Sequence, residues 1–244
     1  MLAMQIEALA PGLRVVGLLG GVGAGKSTAA AALVVALRGA SAERQESRPK
    51  AALLDADAEV GRLLADPEFA PRVETAVGAG LRDPSGRIDR AALGRKIFAD
   101  PQAKVRLEGL LHPEVRRVLH QRMHALEASG RPAWAILDAP LLLENGLDSI
   151  CDFLIFVEAP GPLRAARATA RHGWTEADWR AREAAQAPLE RKRAAAGAIL
   201  ANVDGVENLQ AQARDLLPTL LRLPPQTLRE RWPVWHQAPT RPER

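Results

Sequence analysis

One short run of glycines ending in a lysine and a serine offers the most specific chemistry in the sequence. Residues 20–27, GGVGAGKS, match the pattern G-x-x-x-x-G-K-[ST]. Glycines let backbone N–H groups converge on phosphate oxygens without Cβ clashes. Lys26 is then placed to reach the β- and γ-phosphates of a nucleoside triphosphate, and the Ser27 hydroxyl to ligate Mg²⁺. The pattern therefore predicts a fold that binds a nucleoside triphosphate.

Three aspartates follow predicted strands at positions where they could take part in that chemistry. Asp55 and Asp57 end the run at 51–57, and Asp138 ends the run at 133–138. In a doubly wound sheet, the carboxyl ends of strands open onto the ligand crevice. Asp138 could hold the Mg²⁺ shell or cap a neighbouring backbone. One of the other two could accept a proton from an attacking hydroxyl, or both could cap the following helix.

The elements that position these residues alternate along the chain. Aliphatic runs predict strands at 14–19, 51–55, 133–138, 153–158 and 198–200, with helical stretches between them. This alternation indicates βαβ units and a parallel sheet. The stretch 63–130 is helical and charged, without a convincing strand, and suggests an insertion. A polar loop is expected over 39–50. In the proline-rich segment after residue 221, Trp232 and Trp235 could pack back on the domain, but a frayed end is expected.

Composition narrows the class of protein. Apolar residues form 47% of the 244, enough for a substantial core, and no apolar run approaches the length that spans a bilayer. The single cysteine, Cys151, fits a reducing compartment, so we expect a cytoplasmic protein. The net charge is +4, but basic and acidic residues are interleaved and aromatics are only 4%. Nucleic-acid binding and membrane association are therefore not expected.

Several further motifs, taken in order with the glycine loop, resemble the dephospho-CoA kinase family over residues 15–217. They are Asp55-Ala56-Asp57, the run GRIDR at 86–90, His112-Pro113, the run PLLLE at 140–144 and Gln186. The resemblance implies an α/β fold with a three-layer P-loop kinase core and a parallel five-stranded sheet. It implies a core over 1–62 and 131–221 that includes a helical lid at about 163–185. A helical CoA-binding insertion is implied over 63–130, followed by a tail over 222–244.

The resemblance also implies roles for individual residues. Asp57 is expected to be the general base for the ribose 3′-hydroxyl, and Lys26 and Arg167 to share in catalysis. The expected nucleotide-binding residues are Gly21, Val22, Gly23, Ala24, Gly25, Lys26, Ser27, Thr28, Arg171 and Asn202. The expected substrate-binding residues are Asp57, Arg90, His112, Pro140, Leu141 and Glu144, and the expected metal ligands are Ser27 and Asp138.

Without the family resemblance, the residue types alone leave some of these roles open. Arg164, Arg167 and Arg171 share one helix face, which could be a solvated basic stripe. The pair His112-Pro113 could mark a helix start with proline at its first position. Asn202 could be a turn former. The sequence also departs from the family pattern at Gly61, where an arginine is expected and Arg62 stands one position later.

The predicted function is transfer of the γ-phosphoryl group of ATP to the ribose 3′-hydroxyl of dephospho-CoA, the last step of CoA synthesis. The predicted cofactors are ATP and Mg²⁺, the partner is the small-molecule substrate alone, and the chain is expected to be a monomer or weak homo-oligomer. One alternative is another P-loop kinase for a nucleoside, a nucleotide or a sugar acid. The second is a nucleotide-regulated binding module without turnover.

Overall fold

A parallel β-sheet of five strands organises the structure, a computed structural model that describes residues 12–40 and 50–235. The strands are β1 (Gly12–Gly20), β2 (Lys50–Asp55), β3 (Pro132–Asp138), β4 (Phe153–Glu158) and β5 (Ala198–Ala201), arranged in the order β2-β3-β1-β4-β5. Each predicted strand forms within two residues of its expected bounds. The predicted fold class is therefore confirmed. Most of the predicted loop over 39–50 lies outside the described residues.

The sheet is covered on both faces, as parallel sheets usually are. On one face, Val16 and Leu18 of β1 are fully buried in an apolar core that includes residues of the helices Lys26–Gly39 and Val206–Asp215. On the other, an ideal Cβ added to Gly17 would lie only 2.8 Å from Cys151 Sγ and 2.9 Å from Leu142 Cδ1. The segment after β3 therefore packs directly against the middle of β1.

The described helices, in chain order, are α1 (Lys26–Gly39), α2 (Ala56–Ala65), α3 (Ala70–Val77), α4 (Arg90–Ala99), α5 (Pro101–Glu127), α6 (Gly161–His172), α7 (Glu176–Ala184), α8 (Leu189–Ala195), α9 (Val206–Asp215), α10 (Leu217–Leu220) and α11 (Leu228–Trp235), with a 3₁₀ turn at Leu147–Ile150. Within the described ranges, no helix has both the length and the apolar character needed to cross a lipid bilayer.

The chain divides into two compact units, one of Ala56–Arg122 and one formed by the residues before and after it. The first has its own core, in which Phe69, Val73 and Leu107 are buried among residues of α2 to α5. The helical insertion predicted over 63–130 overlaps this unit. Its role in binding CoA stays a prediction.

The expectation of a frayed end after residue 221 is wrong for residues 226–231. Leu228 and Arg231 are each only 3% exposed. Arg231 Nη2 donates to Asp152 Oδ2 at 2.6 Å and to Leu13 O at 3.1 Å, and Gln226 N donates to Leu13 O at 3.1 Å. A buried carbonyl at the start of β1 needs such donors, and the segment after residue 221 supplies them. Residues 236–244 of the predicted tail lie outside the described residues.

Candidate active site

The glycine loop joins the end of β1 to the start of α1, as the motif requires. Gly23 and Gly25 have φ angles of 82° and 85°, which residues with a Cβ rarely adopt. A Cβ at Gly25 would also overlap Asn202 Nδ2, and one at Gly23 would overlap the backbone carbonyl of Arg164. Glycine is therefore required at both positions by conformation and by space.

The amino end of α1 is arranged to receive an anion. Within α1, which is described throughout, the first turn has no acidic residue and no side chain caps it. The positive end of the helix therefore favours phosphate binding. Lys26 begins the helix, and its Nζ donates to Gly20 O at 3.3 Å and Gly21 O at 3.2 Å. The ammonium group is thus held against the phosphate loop, by which we mean residues 20–27.

Ser27 and Asp138, the two predicted metal ligands, lie together. Ser27 Oγ donates to Asp138 Oδ2 at 2.6 Å, and Asp138 is only 5% exposed. Burial raises the pKa of Asp138 above its usual range, and the charge of Asp55 raises it further. The hydrogen bond from Ser27 and the charge of Lys26 lower this pKa, but by less. Asp55 and Asp138 are register partners at the ends of β2 and β3. Two carboxylates and a hydroxyl therefore lie near the same edge of the sheet.

These oxygen atoms suit Mg²⁺, which prefers oxygen ligands and keeps several of its waters. Among the described residues, no group of three or more His, Cys, Asp or Glu side chains is placed to hold a metal ion. The donor set of Ser27 and Asp138 fits an ion that is shared with substrate phosphates. Their service as metal ligands stays a prediction.

Helices α6 and α7 pack directly on the phosphate loop. Arg164 of α6 is only 6% exposed and forms an ion pair with Glu183 of α7. The same Glu183 accepts a hydrogen bond from Val22 N at 2.7 Å through Oε2. Trp179 Nε1 donates to Val22 O at 3.0 Å. Both backbone polar groups of Val22 are therefore paired with side chains of α7.

Arg167 and Asn202 are also brought together beside the loop. Arg167 Nη1 donates to Asn202 O at 3.1 Å, and Asn202 Nδ2 donates to Ala24 O at 2.8 Å. Asn202 is buried, and it links the end of β5 to the phosphate loop. Arg171 is exposed, and its charge is among those that favour the ionised form of Asp138. The predicted contacts of these side chains with ATP stay predictions.

Glu144 makes its contacts with the segment that follows α7. Its Oε1 accepts from Ala187 N at 2.5 Å and lies 3.6 Å from Lys192 Nζ. Lys192 is 1% exposed and donates to Gln186 Oε1 at 2.7 Å. Burial lowers the pKa of Lys192, against the charge of Glu144. Glu144 therefore fixes this segment, whereas substrate contacts by Glu144, Pro140 and Leu141 stay predictions.

The unit Ala56–Arg122 contains the other predicted substrate residues. Asp57 lies in the first turn of α2, and Arg90 is the first residue of α4, after its N-cap Asp89. An ideal Cβ on Gly61 would lie 3.9 Å from Arg90 Nη1, so these two positions are neighbours. Burial lowers the pKa of His112, although the charge of Glu108 acts in the opposite direction. The lowered pKa favours a neutral imidazole.

The alternative reading of His112-Pro113 as a helix start is wrong. Pro113 lies inside α5, which begins twelve residues earlier at Pro101. Pro101 itself occupies the position at a helix start that proline favours. No contact described in this unit tests the substrate roles of Asp57, Arg90 or His112, and these roles stay predictions.

Comparison with known proteins decides the family. A family model described as dephospho-CoA kinase matches residues 14–208. The chain belongs to the dephospho-CoA kinase family. The dephospho-CoA kinase of Anaeromyxobacter dehalogenans is 39% identical over 210 residues, covering 85% of this chain and 92% of that protein. The dephospho-CoA kinase of Deinococcus radiodurans is 38% identical over 202 residues, covering 82% and 88% respectively.

A solved structure has a similar fold. The crystal structure of TT1252 from Thermus thermophilus aligns with a TM-score of 0.65 at 34% identity, covering 86% of this chain and 98% of that one. The family predicted from the ordered motifs is confirmed by the family model and by the two relatives above. Its P-loop kinase core is the sheet and phosphate loop described above.

Sequence reasoning missed three residues that contact the phosphate loop in this dephospho-CoA kinase family member. Arg164 was noted only as part of a basic stripe, and neither Trp179 nor Glu183 was singled out. The helical spacing of the stripe placed Arg164 on the same face as Arg167. No local pattern shows that a glutamate nineteen residues later turns back to pair with it.

Proposed function

We propose that the chain transfers the γ-phosphoryl group of ATP to the ribose 3′-hydroxyl of dephospho-CoA, giving CoA and ADP. Membership of the dephospho-CoA kinase family supports this activity. The observation that carries the chemistry is the phosphate loop, with Lys26 against it and Ser27 bonded to Asp138. This arrangement suits phosphoryl transfer, which depends mainly on positioning and on stabilising charge.

Each residue of the site has a separate task in this proposal. The backbone N–H groups of the loop and the start of α1 bind phosphate oxygens. Lys26 binds the β- and γ-phosphates and stabilises their negative charge. Ser27 and Asp138 would hold Mg²⁺, which neutralises phosphate charge when bound. Arg167 and Arg171 of α6 supply further positive charge and help to exclude water.

Asp57 is the proposed general base of the reaction. Its carboxylate would accept the proton of the ribose 3′-hydroxyl as the oxygen attacks the γ-phosphorus and the bond to the β-phosphate oxygen breaks. The proton passes to the carboxylate and the bond electrons to ADP. We propose that orienting the hydroxyl matters as much as the basicity of this carboxylate.

An assay of ATP consumption with Mg²⁺ tests the function directly. Dephospho-CoA is compared with adenosine, AMP and shikimate as acceptors, and CoA is identified by mass. We expect turnover with dephospho-CoA alone, and its loss in Lys26→Ala but not in Lys104→Ala, which changes an exposed lysine of α5. Turnover confined to another acceptor would reject the substrate, and ATP binding without any turnover would favour a binding module.

We also propose that the enzyme acts in the cytoplasm as a monomer or weak homo-oligomer. The single cysteine supports a reducing compartment. Light scattering across a range of protein concentrations would measure the oligomeric state. A stable dimer at micromolar concentration would contradict the proposal.

A further inference from the structure

A carboxylate of the chain accepts a hydrogen bond from one of the backbone N–H groups of the phosphate loop. Glu183 Oε2 accepts from Val22 N at 2.7 Å, and Val22 is the third residue of the loop motif. A nucleotide phosphate is also an oxyanion that seeks backbone N–H donors of this loop. The side chain of Glu183 therefore offers the loop, from within the chain, the kind of group that it is built to bind.

Two neighbours hold this carboxylate in place. Arg164, whose side chain is 7% exposed, pairs with Glu183 Oε1 and donates through Nε to Ala159 O at 3.1 Å. Trp179, one turn before Glu183 on α7, donates to Val22 O and has the Arg164 guanidinium 5.2 Å from its ring centroid. We call Arg164, Trp179 and Glu183 the lid latch.

The latch fills the space beside Gly21. An ideal Cβ on Gly21 would lie 2.8 Å from Glu183 Oε1 and would overlap Arg164 Nη1. A phosphate group is larger than a methyl group, and its oxygens would compete with the Glu183 carboxylate for Val22 N and for the Arg164 guanidinium. Nucleotide phosphates near residues 21–22 therefore require Glu183 to move away.

We propose that Glu183 is a built-in competitor of ATP, which holds α7 against the phosphate loop and is displaced when the nucleotide phosphates bind. Displacement would free Arg164 from its partner carboxylate, so its charge becomes available to phosphate. Part of the binding free energy of ATP is then spent on opening the latch. This inference rests on the proposed function, because it assumes that the loop binds the phosphates of ATP.

Calorimetric titration of ATP into the protein with Mg²⁺, without acceptor, tests the latch. Glu183→Gln keeps the shape of the side chain but removes its charge and weakens its hydrogen bond to Val22 N. We expect ATP to bind roughly threefold to tenfold more tightly, since a charge-assisted hydrogen bond and a like-charge repulsion are lost. The matched control is Glu176→Gln, which removes an exposed carboxylate of the same helix and should leave the affinity unchanged.

A second variant tests the latch without changing the charge that pairs with Arg164. Trp179→Phe keeps an aromatic side chain but removes the donor to Val22 O, and we expect a smaller increase in ATP affinity. The ¹⁵N–¹H signal of Val22 provides a direct readout. We expect it to move upfield in Glu183→Gln, and to shift in the wild type when ATP is added.

The outcomes separate the latch from the proposed function. If Lys26→Ala abolishes ATP binding but both latch variants bind ATP no more tightly than wild type, the latch is rejected and the nucleotide site stands. Weaker ATP binding in Glu183→Gln would also reject it, since Glu183 would then support the loop. If Lys26→Ala leaves ATP binding intact, the nucleotide site itself is wrong, and the latch is rejected with it.

Discussion

Individual residues in this chain are held by partners that the folded structure brings from distant positions. Asn202 reaches back to Ala24, and Asp138 accepts from Ser27. Both pairs join a strand end to the phosphate loop, where small displacements matter most for phosphoryl transfer. Predictions at this scale concern single side chains whose charge or hydrogen bonds can be changed without changing their shape.

Asp57→Asn should lower kcat much more than it changes the KM for ATP. The amide keeps the shape of the carboxylate but cannot accept the proton of the ribose 3′-hydroxyl, an effect of about 10²- to 10⁴-fold for general-base catalysis. Steady-state kinetics with dephospho-CoA and ATP measures both constants. Asp215→Asn, on an exposed position of α9, is the control. Wild-type turnover in Asp57→Asn would remove this residue from the mechanism.

Glu59 should make the unit Ala56–Arg122 sensitive to acid. Burial raises the pKa of Glu59, but hydrogen bonds and charges from Arg62 and Arg122 lower it by more, so its pKa lies below the usual range. The stabilisation is therefore present above the pKa of the unfolded chain, about 4.3, and is lost as the pH falls through the folded-state pKa.

Glu59→Gln should thus reduce the free energy of unfolding by about 1–2 kcal/mol at pH 7, a modest value because both arginines are partly exposed. The difference from wild type should shrink as the pH is lowered towards 3. Urea unfolding at several pH values measures it, with exposed Glu68→Gln as the control. A difference that stays constant with pH would contradict this role.

At the scale of elements, α11 is fixed to the sheet by a buried ion pair. The side chains of Arg231 and Asp152 are 2% and 4% exposed, and Asp152 Oδ2 also accepts from Val15 N at 2.7 Å. Removing one member of such a pair leaves an uncompensated buried charge. Leu228 and Arg231 are therefore part of the buried interior of the fold.

Arg231→Met should lower the free energy of unfolding by about 3–5 kcal/mol, since Asp152 would remain charged and buried. The double variant Arg231→Met/Asp152→Asn should recover part of that loss. Thermal unfolding followed by circular dichroism measures both. The control is Arg229→Met, an exposed neighbour on α11. A double variant no more stable than Arg231→Met would show that the charge of Asp152 is not the cause.

The sequence predicted elements better than it predicted contacts between them. The aliphatic runs predicted all five strands. For the central strands the reason is burial on both faces, which needs a continuous apolar segment. The motif at residues 20–27 predicted the loop, because its glycines and lysine follow one another in the chain. The pairing of Arg164 with Glu183 and of Arg231 with Asp152 could not be predicted, because each joins residues that only the completed fold makes neighbours.

At the scale of the whole molecule, burial differs sharply across the sheet. β1 is central and its residues from Leu13 to Gly20 are buried, whereas β5 is a four-residue edge strand with Ile199 40% exposed. Local opening should therefore occur first at the β5 edge and last at β1.

Hydrogen exchange should follow this order. We expect amides of β1 and β3 to exchange only through global unfolding, and those of β5 to exchange several orders of magnitude faster, because edge amides open without disrupting the core. Mass spectrometry of peptides from the labelled protein measures the rates. Binding of ATP should slow exchange in the phosphate loop far more than in β3. Equal protection of β1 and β5 would contradict the predicted order.

The central place of β1 has a consequence for synthesis on the ribosome. Both of its neighbours, β3 and β4, lie more than a hundred residues further along the chain. At about 5–20 residues per second, an aliphatic strand would wait on the order of 6–24 seconds before its first partner emerges. During that interval β1 is an aliphatic strand without its sheet partners, so we expect nascent-chain chaperones to raise the yield most before residue 132 leaves the exit tunnel.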